Sequence, residues 1–275
     1  MTTHHYGEML GARYLCMFLL SVFLALTGAV ICLASCSTTG REAGSTGQTG
    51  SEEAVPSLSD AAMPKEDLEP LPGFVLRHNL GPDGEPRPGP MQESAEWRIS
   101  DFYGKGKVRV EDGVLYLEEG NDMTGVTWRG PLVRKDYEIT LEAMRVDGSD
   151  FFCGLTFPVG PDPCSLILGG WGGSLVGLSS IDYEDAANNI TARIIHFDNG
   201  RWYRVRLRVY GEKIEAWLDD RQIVEVVTTG RTIGIRWEVE PSLPLGIATW
   251  RTTGAIRNMR LTALTETPFD YVAPK

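Results

Sequence analysis

The sequence predicts an all-β fold, a sandwich or jelly roll, over residues 97–266. Three observations carry that reading. Short runs alternate apolar and polar residues at a period of two, turn residues separate the runs, and no stretch in this region repeats at the helical period. A dozen or so strands without helices leave a sandwich or jelly roll as the architecture. The chain carries 31 Gly and 16 Pro, the residues that many tight turns require.

In chain order, residues 1–35 read as a targeting segment. Arg13 precedes the apolar run YLCMFLLSVFLALTGAVICLASC, which supplies a charged start, a hydrophobic stretch and a small-residue exit. Met9 is an alternative start. The run ends in LASC, Leu33 to Cys36, and resembles a bacterial lipobox. The resemblance implies cleavage before Cys36 and lipidation of its sulfur. The alternative is a plain transmembrane anchor, since the run is nearly long enough to span a bilayer.

Residues 36–70 are Gly, Ser, Thr, Glu and Pro with almost nothing apolar, so they read as a disordered tether. About 35 flexible residues reach on the order of 30 Å. Residues 71–96, rich in Pro and Gly, are an expected irregular lead-in, and 267–275 a C-terminal tail. The expected location is the bacterial cell envelope, lipid-anchored and extracytoplasmic, on the periplasmic face or the cell surface. Ser37 after the lipidated cysteine favours outward sorting.

The domain then unfolds as strands. GKVRVEDGVLYLEEG places Val108 and Val110, then Val114 and Tyr116, around the turn signal EDG. DYEITLEAMRV alternates Tyr137, Ile139, Leu141 and Ala143 against Glu138, Thr140 and Glu142. DFFCGLTFPV, CSLILGGW and GSLVGLSSI are strand-like runs separated by GPDP and WGG, and NITARIIHF, RQIVEVVT, PLGIATW and AIRNMRLTAL extend the series.

The stretch RWYRVRLRVYGEKIEAWLDD fixes a register. A hairpin turning at YGEK sets Val209 opposite Ile214, Leu207 opposite Ala216 and Val205 opposite Leu218, a wholly apolar face. The other face pairs Arg208 with Glu215, Arg206 with Trp217 and Arg204 with Asp219. Such pairs contribute about 0.2–1 kcal/mol each. The arginines therefore read either as a structural ladder on a wet sheet face or as ligand contacts, with the Arg206 and Trp217 pair offering a platform for a sugar ring.

Charge narrows the partners. With 26 Lys+Arg against 37 Asp+Glu the net charge is −11, which argues against nucleic acid as a partner. Beyond the targeting segment and Cys36 only Cys153 and Cys164 remain. In an oxidising compartment they form a disulfide worth about 2–3 kcal/mol, or they are two buried thiols in neighbouring strands. Beyond the targeting segment only His78 and His196 remain, and no Cys/His spacing suits zinc.

GRWYRVRLRVYGEKIEAWLDDRQIVEV and the ending PLGIATWRTTGAIRNMRLTAL resemble the bacterial domain of unknown function 1080, also called the 3-keto-disaccharide hydrolase domain. The resemblance covers residues 94–266 and is clear over the last seventy or so. It implies a concanavalin-A-like or laminin-G-like jelly roll in secreted or lipid-anchored proteins that act on carbohydrate. The family's opening motif W-x-x-L-F-[ND]-G is absent, and DGSDFFCGLTFPVG replaces its central N-S-G-[IV]-x-x-R stretch. No catalytic set carries over from the family.

The candidate site residues follow. Trp171, in WGG on a glycine-rich turn, stacks on a pyranose or folds over the sandwich edge. Asp182, Glu184 and Asp185 in SSIDYEDAANN are oxygen ligands for Ca²⁺, the one cofactor the sequence suggests, or a solvated acidic loop. Trp250 and Arg251 rim a binding cleft, or Trp250 fills the core. Asp150 beside Phe151 and Phe152 is a candidate general acid or a turn residue, and Asp182 is a second candidate catalytic carboxylate. Two functions stand open: an enzyme of the glycoside hydrolase type acting on 3-keto-disaccharides, and a lectin-like glycan-binding or scaffolding module. Carboxylates clustered beside an aromatic platform would support the enzyme.

Overall fold

The computed structural model describes residues 97–265 and the backbone of Gly89 and Pro90. The targeting segment, Cys36, the tether and residues 267–275 lie outside the described residues. Among the described residues no helix is long and apolar enough to cross a membrane.

Fifteen strands follow one another among the described residues. The first five are β1 (Gly89–Pro90), β2 (Trp97–Ile99), β3 (Val108–Glu111), β4 (Val114–Leu117) and β5 (Met123–Trp128). Next come β6 (Tyr137–Gly148), β7 (Cys153–Val159), β8 (Asp162–Gly169), β9 (Leu175–Ser179) and β10 (Arg193–Ile194). The series ends with β11 (Trp202–Tyr210), β12 (Lys213–Leu218), β13 (Arg221–Val227), β14 (Leu245–Trp250) and β15 (Thr252–Ala263). They form two antiparallel sheets, ordered β1-β3-β4-β15-β6-β11-β12-β13 and β10-β9-β8-β7-β14-β5-β2. The fold is an all-β jelly roll.

The arginine hairpin has the register the sequence predicts. Val205 faces Leu218, Leu207 faces Ala216 and Val209 faces Ile214, and all six side chains are buried between the sheets. Tight turns fix such registers. Asp219 and Asp220, at φ 47° and 69°, join β12 to β13 in a two-residue turn that needs positive φ at both positions. Asp112 and Gly113, at 49° and 76°, do the same between β3 and β4.

That last turn corrects one expectation. Glu111 pairs with Val114, so Val108 lies opposite Leu117 and Val110 opposite Leu115. Leu115 and Leu117 enter the core, while Val114 and Tyr116 take the outer face, where Arg109 stacks 3.8 Å above the Tyr116 ring. Two further expectations change. Gly89 and Pro90, within the lead-in, form a strand beside β3. Only Arg193 and Ile194 of the run NITARIIHF are strand, because Asn189 is engaged in a loop. Its Nδ2 donates to the carbonyls of Leu178, Glu184 and Asp185, and its Oδ1 accepts from Thr191.

Cys153 and Cys164 are free, buried thiols, so the disulfide alternative is not realised. They sit in adjacent strands, Cys153 opposite Leu168 and Cys164 opposite Phe157, four register positions apart along the hairpin.

The two sheets differ on their outer faces. That of the eight-stranded sheet is half-buried and charged. The seven-stranded sheet is buried on both faces over most of its length, as β5, β7 and β9 show. Outside the main core, Phe102, Met123, Phe151, Ile167, Val239 and Ala248 form a second apolar cluster. A 3₁₀ helix, Trp237–Ser242, supplies part of that cover. It lies close enough that a Cβ on Gly246 would meet the Ser242 carbonyl at 2.6 Å.

Candidate functional site: a cleft over the seven-stranded sheet

A cleft of about 230 Å³ opens on this covered face. Its floor comes from strands: Met123 on β5, Ser165 and Ile167 on β8, Ser179 on β9 and Trp250 at the end of β14. Its walls come from loops and the 3₁₀ helix: Asp150 and Phe151 before β7, Trp171 between β8 and β9, Arg236 just before the 3₁₀ helix, and Glu238 and Val239 within it. Aromatic faces, two carboxylates, a guanidinium and hydroxyls converge there. A sugar presents the same mixture of apolar ring faces and hydrogen-bonding edges.

Trp171 is held by strain and by a clamp. In the turn Gly170–Gly173 Trp171 adopts φ 49°, ψ 53°, the left-handed region that bulky residues avoid. Such a residue costs about 1–2 kcal/mol. The side chain nonetheless stays 46% exposed. Two neighbours hold the turn. Asp150 Oδ2 accepts from the Gly172 N–H at 3.2 Å, while its Oδ1 accepts from Phe151 N–H at 2.8 Å. Arg145, a buried guanidinium on β6, donates to the carbonyls of Gly173 (3.1 Å) and Phe197 (2.5 Å) and to Asn199 Oδ1 (2.7 Å).

Trp250 takes an intermediate place between the two sequence readings. It is half-buried, packs on Phe151 with ring centroids 6.4 Å apart, and still lines the cleft. The opposite wall is ionic. Arg236 pairs with Glu238 and reaches Asp185 at 3.3 Å. The hydrogen bond that Arg236 donates to Glu238, larger than the opposing effect of desolvation, raises the guanidinium above its ordinary pKa. Among the described residues Asp150 has no cationic partner, which makes it the unneutralised carboxylate of the cleft.

The other candidates lie elsewhere. Arg206 and Trp217 stand on the outer face of the eight-stranded sheet, away from the cleft. The guanidinium stacks 3.8 Å above the indole. Arg208 pairs with Glu138 on β6 at 2.9 Å rather than with Glu215. Arg204 bonds Asp220 through its guanidinium, and its backbone N–H donates to Asp219 Oδ1. Each arginine finds an answering group within the protein. Arg251 follows Trp250, with its guanidinium 5.5 Å from the Trp250 ring and paired with Asp122 at 2.7 Å.

The acidic loop does not assemble a metal site. Asp182 accepts from Thr232 N–H at 2.9 Å and pairs with Arg231 at 2.6 Å; the Thr232 bond, with Arg231, holds its carboxyl below the ordinary range. Asp185 takes Ala187 N–H and Arg236. Among the described residues no group of three His, Cys, Asp or Glu side chains is placed to hold a metal ion. Of the expected Ca²⁺ ligands, the Asp182 and Asp185 carboxylates are engaged in loop bonding, and Glu184 joins the loop through its backbone. Described His196 lies exposed beside Asp198.

Sequence reasoning missed Arg236, Glu238, Ser165 and Ser179. The first two lie in a segment without strand periodicity. The two serines were legible only as outward positions of strands β8 and β9, once it is known that this outer face is covered.

Several solved structures are similar to part of the chain. The carbohydrate-binding module CBM66 from Bacillus subtilis matches at 14% identity and a TM-score of 0.36, over 61% of this chain and 96% of that one. A prokaryotic beta-1,3-1,4-glucanase (lichenase) derived from a mouse hindgut metagenome matches at 10% identity and 0.43, over 65% and 99%. A protein of unknown function with a galectin-like fold from Bacillus subtilis matches at 12% identity and 0.40, over 64% and 94%. No curated protein matches the chain. The model of the 3-keto-alpha-glucoside-1,2-lyase-like domain matches residues 91–262, which takes in every strand from β2 to β14 and every residue of the cleft, and the chain belongs to that family.

Proposed function

We propose that the protein is a carbohydrate-active enzyme that takes a 3-keto-α-glucoside into the cleft and cleaves it by elimination. The observation that carries this reading is Asp150, an acid without a cationic partner, in one cleft with Trp171 and Trp250. A ketone at C3 acidifies the proton on C2. In this reading Asp150 takes that proton, a C1=C2 double bond forms, and the C1–O bond breaks. The leaving oxygen takes a proton from water, and Asp150 returns its own to solvent. Water added to the unsaturated product would complete a net hydrolysis. Trp171 and Trp250 hold the ring by its apolar faces.

A second reading, binding without turnover, is favoured by one observation. Both Asp150 oxygens already accept backbone N–H bonds, as a turn residue's would. Incubating the purified domain with a 3-keto-α-disaccharide, read by product chromatography, separates the two. The elimination reading expects an unsaturated keto sugar or its hydrate. Absence of turnover with calorimetric affinity for the same sugar would leave the binding module alone.

The location is part of the proposal. Arg13, the apolar run and LASC ending at Cys36 support a lipid anchor outside the cytoplasm. Mass spectrometry of the membrane fraction should find Cys36 diacylated, and Cys36→Ala should release the protein from the membrane. An unprocessed N-terminus would replace the lipid anchor with a transmembrane one.

A further inference from the structure

Asp150 is held from a second side, by the turn between β14 and β15. That turn has one residue, Arg251, at φ 42°, whose N–H donates to the Asp122 carbonyl at 2.8 Å. The residues on either side of it reach Asp150 and Phe151. The Trp250 N–H donates to the Phe151 carbonyl at 3.0 Å, and Thr252 Oγ1 accepts from the Asp150 N–H at 3.0 Å. Thr252 is fully buried and lies opposite Gly148 where β15 pairs with β6. Gly148 makes room for it: at φ 99°, a Cβ there would come within 2.9 Å of Thr252 Oγ1. Asp150 thus sits between two turns. Its carboxylate reaches Gly172 beside Trp171, and its backbone is pinned by the hydroxyl two residues beyond Trp250.

We infer that Thr252 is a positioning residue, whose hydroxyl oxygen fixes Asp150 relative to the Trp250 ring. The inference rests on the elimination reading and adds to it the group that sets where the base stands. The two bonds to the Asp150 carboxylate do not do this. Phe151 N–H is next in the chain and moves with Asp150, and Gly172 belongs to an exposed turn. The Thr252 bond instead ties the Asp150 backbone to β15, a strand flanked on both sides by β4 and β6. A reacting group misplaced by about 1 Å loses on the order of 10²-fold in rate. The aromatic platforms have anchors of their own. Arg145 holds Gly173 at the Trp171 turn, and the Trp250 N–H holds the Phe151 carbonyl. Loss of the Thr252 oxygen therefore falls on the base rather than on ring binding.

Thr252→Val, which keeps the shape and removes the oxygen, tests this with p-nitrophenyl 3-keto-α-glucoside as the probe, read by p-nitrophenolate release. That leaving group departs readily, so kcat reads removal of the C2 proton. Loss of kcat by about 10–10²-fold with KM little changed is the expected result. Thr252→Ala, a second way to remove the oxygen, should show the same loss. Thr252→Ser, which keeps the oxygen, should hold kcat close to native. A purely structural role would lower the urea midpoint of Thr252→Val and leave the folded variant with native kcat. That result overturns the inference and leaves elimination standing, and so does a Thr252→Ser variant that loses kcat by about 10-fold or more. A native protein without turnover of this probe overturns both.

Discussion

The carboxylate of Asp150 holds the backbone of Gly172 at 3.2 Å, one residue beyond Trp171. The one acid in the cleft without a cationic partner is thereby tied to the turn that presents its most exposed aromatic ring. Acid and platform are set by a single contact, and changes to one should be felt in the other.

Asp150→Asn removes the base and, with it, the acceptor for Gly172 N–H. The amide keeps an acceptor for Phe151 N–H but cannot take a proton from carbon. Turnover of a 3-keto-α-glucoside should fall by about 10²–10⁴-fold. The melting transition should move by no more than about 1 kcal/mol of stability. Steady-state kinetics beside thermal unfolding check both.

Arg145→Met removes the clamp from the other side. Two carbonyls and the Asn199 side chain lose a buried donor together. Stability should drop by on the order of 3 kcal/mol, measured by urea unfolding. Affinity for a glycan ligand should fall as well, because the Trp171 turn loses its anchor at Gly173. Intact affinity in a destabilised variant would limit Arg145 to a structural role.

Arg206→Ala should matter little. It gives up the stacking contact with Trp217 on the outer face of the eight-stranded sheet, worth about 0.5–1 kcal/mol, and a half-exposed ion pair with Glu138 at 4.0 Å that Arg208 also serves. Glycan affinity by calorimetry should be unchanged. A loss would move the site to the opposite sheet.

The buried thiols give a pH dependence. Burial pushes Cys153 and Cys164 each up to about 12, from an ordinary 9.0. In the unfolded chain both ionise near 9, while in the folded chain they stay protonated. The unfolded state therefore binds fewer protons between these values, and stability falls as pH rises from 9 towards 12. The slope is about 1.4 kcal/mol per pH unit for each thiol. Below pH 9 the thiols leave stability unaffected. Peptide mapping after a thiol reagent at pH 8 should find both unmodified until denaturant is added.

How much of this was legible depends on whether neighbours in sequence are neighbours in space. The hairpin of Val205 and Leu218 could be read because its two strands are joined by a short turn and alternate strictly. The sheet face was set by burial alone. The partner of Arg208 could not be read: Glu138 comes from β6, some seventy residues earlier, and the sequence offers nothing to place β6 rather than another strand beside β11. The cleft posed the same difficulty on a larger scale. Trp171, Trp250 and Asp150 were each recognisable as unusual residues in turns or at strand ends, yet only the jelly-roll topology brings them together. Arg236 and Glu238 sit in a segment that ties to residues 180–185 by Ser180 and Gly234 and by Arg231 and Asp182, long-range contacts without a periodic signature. The EDG hairpin shows the smaller error: the turn was found, but a two-residue loop reverses which face Leu115 and Tyr116 occupy.

The measurement that tests the location of the site most directly is a titration followed by the indole N–H signals of the tryptophans. Asp150→Asn protein is titrated with methyl 3-keto-α-glucoside, with Trp171→Phe, Trp250→Phe and Trp217→Phe variants assigning the signals. The cleft predicts that the Trp171 and Trp250 resonances shift with one saturating curve while Trp217 stays still. Movement of Trp217 with Trp171 and Trp250 unperturbed would contradict it.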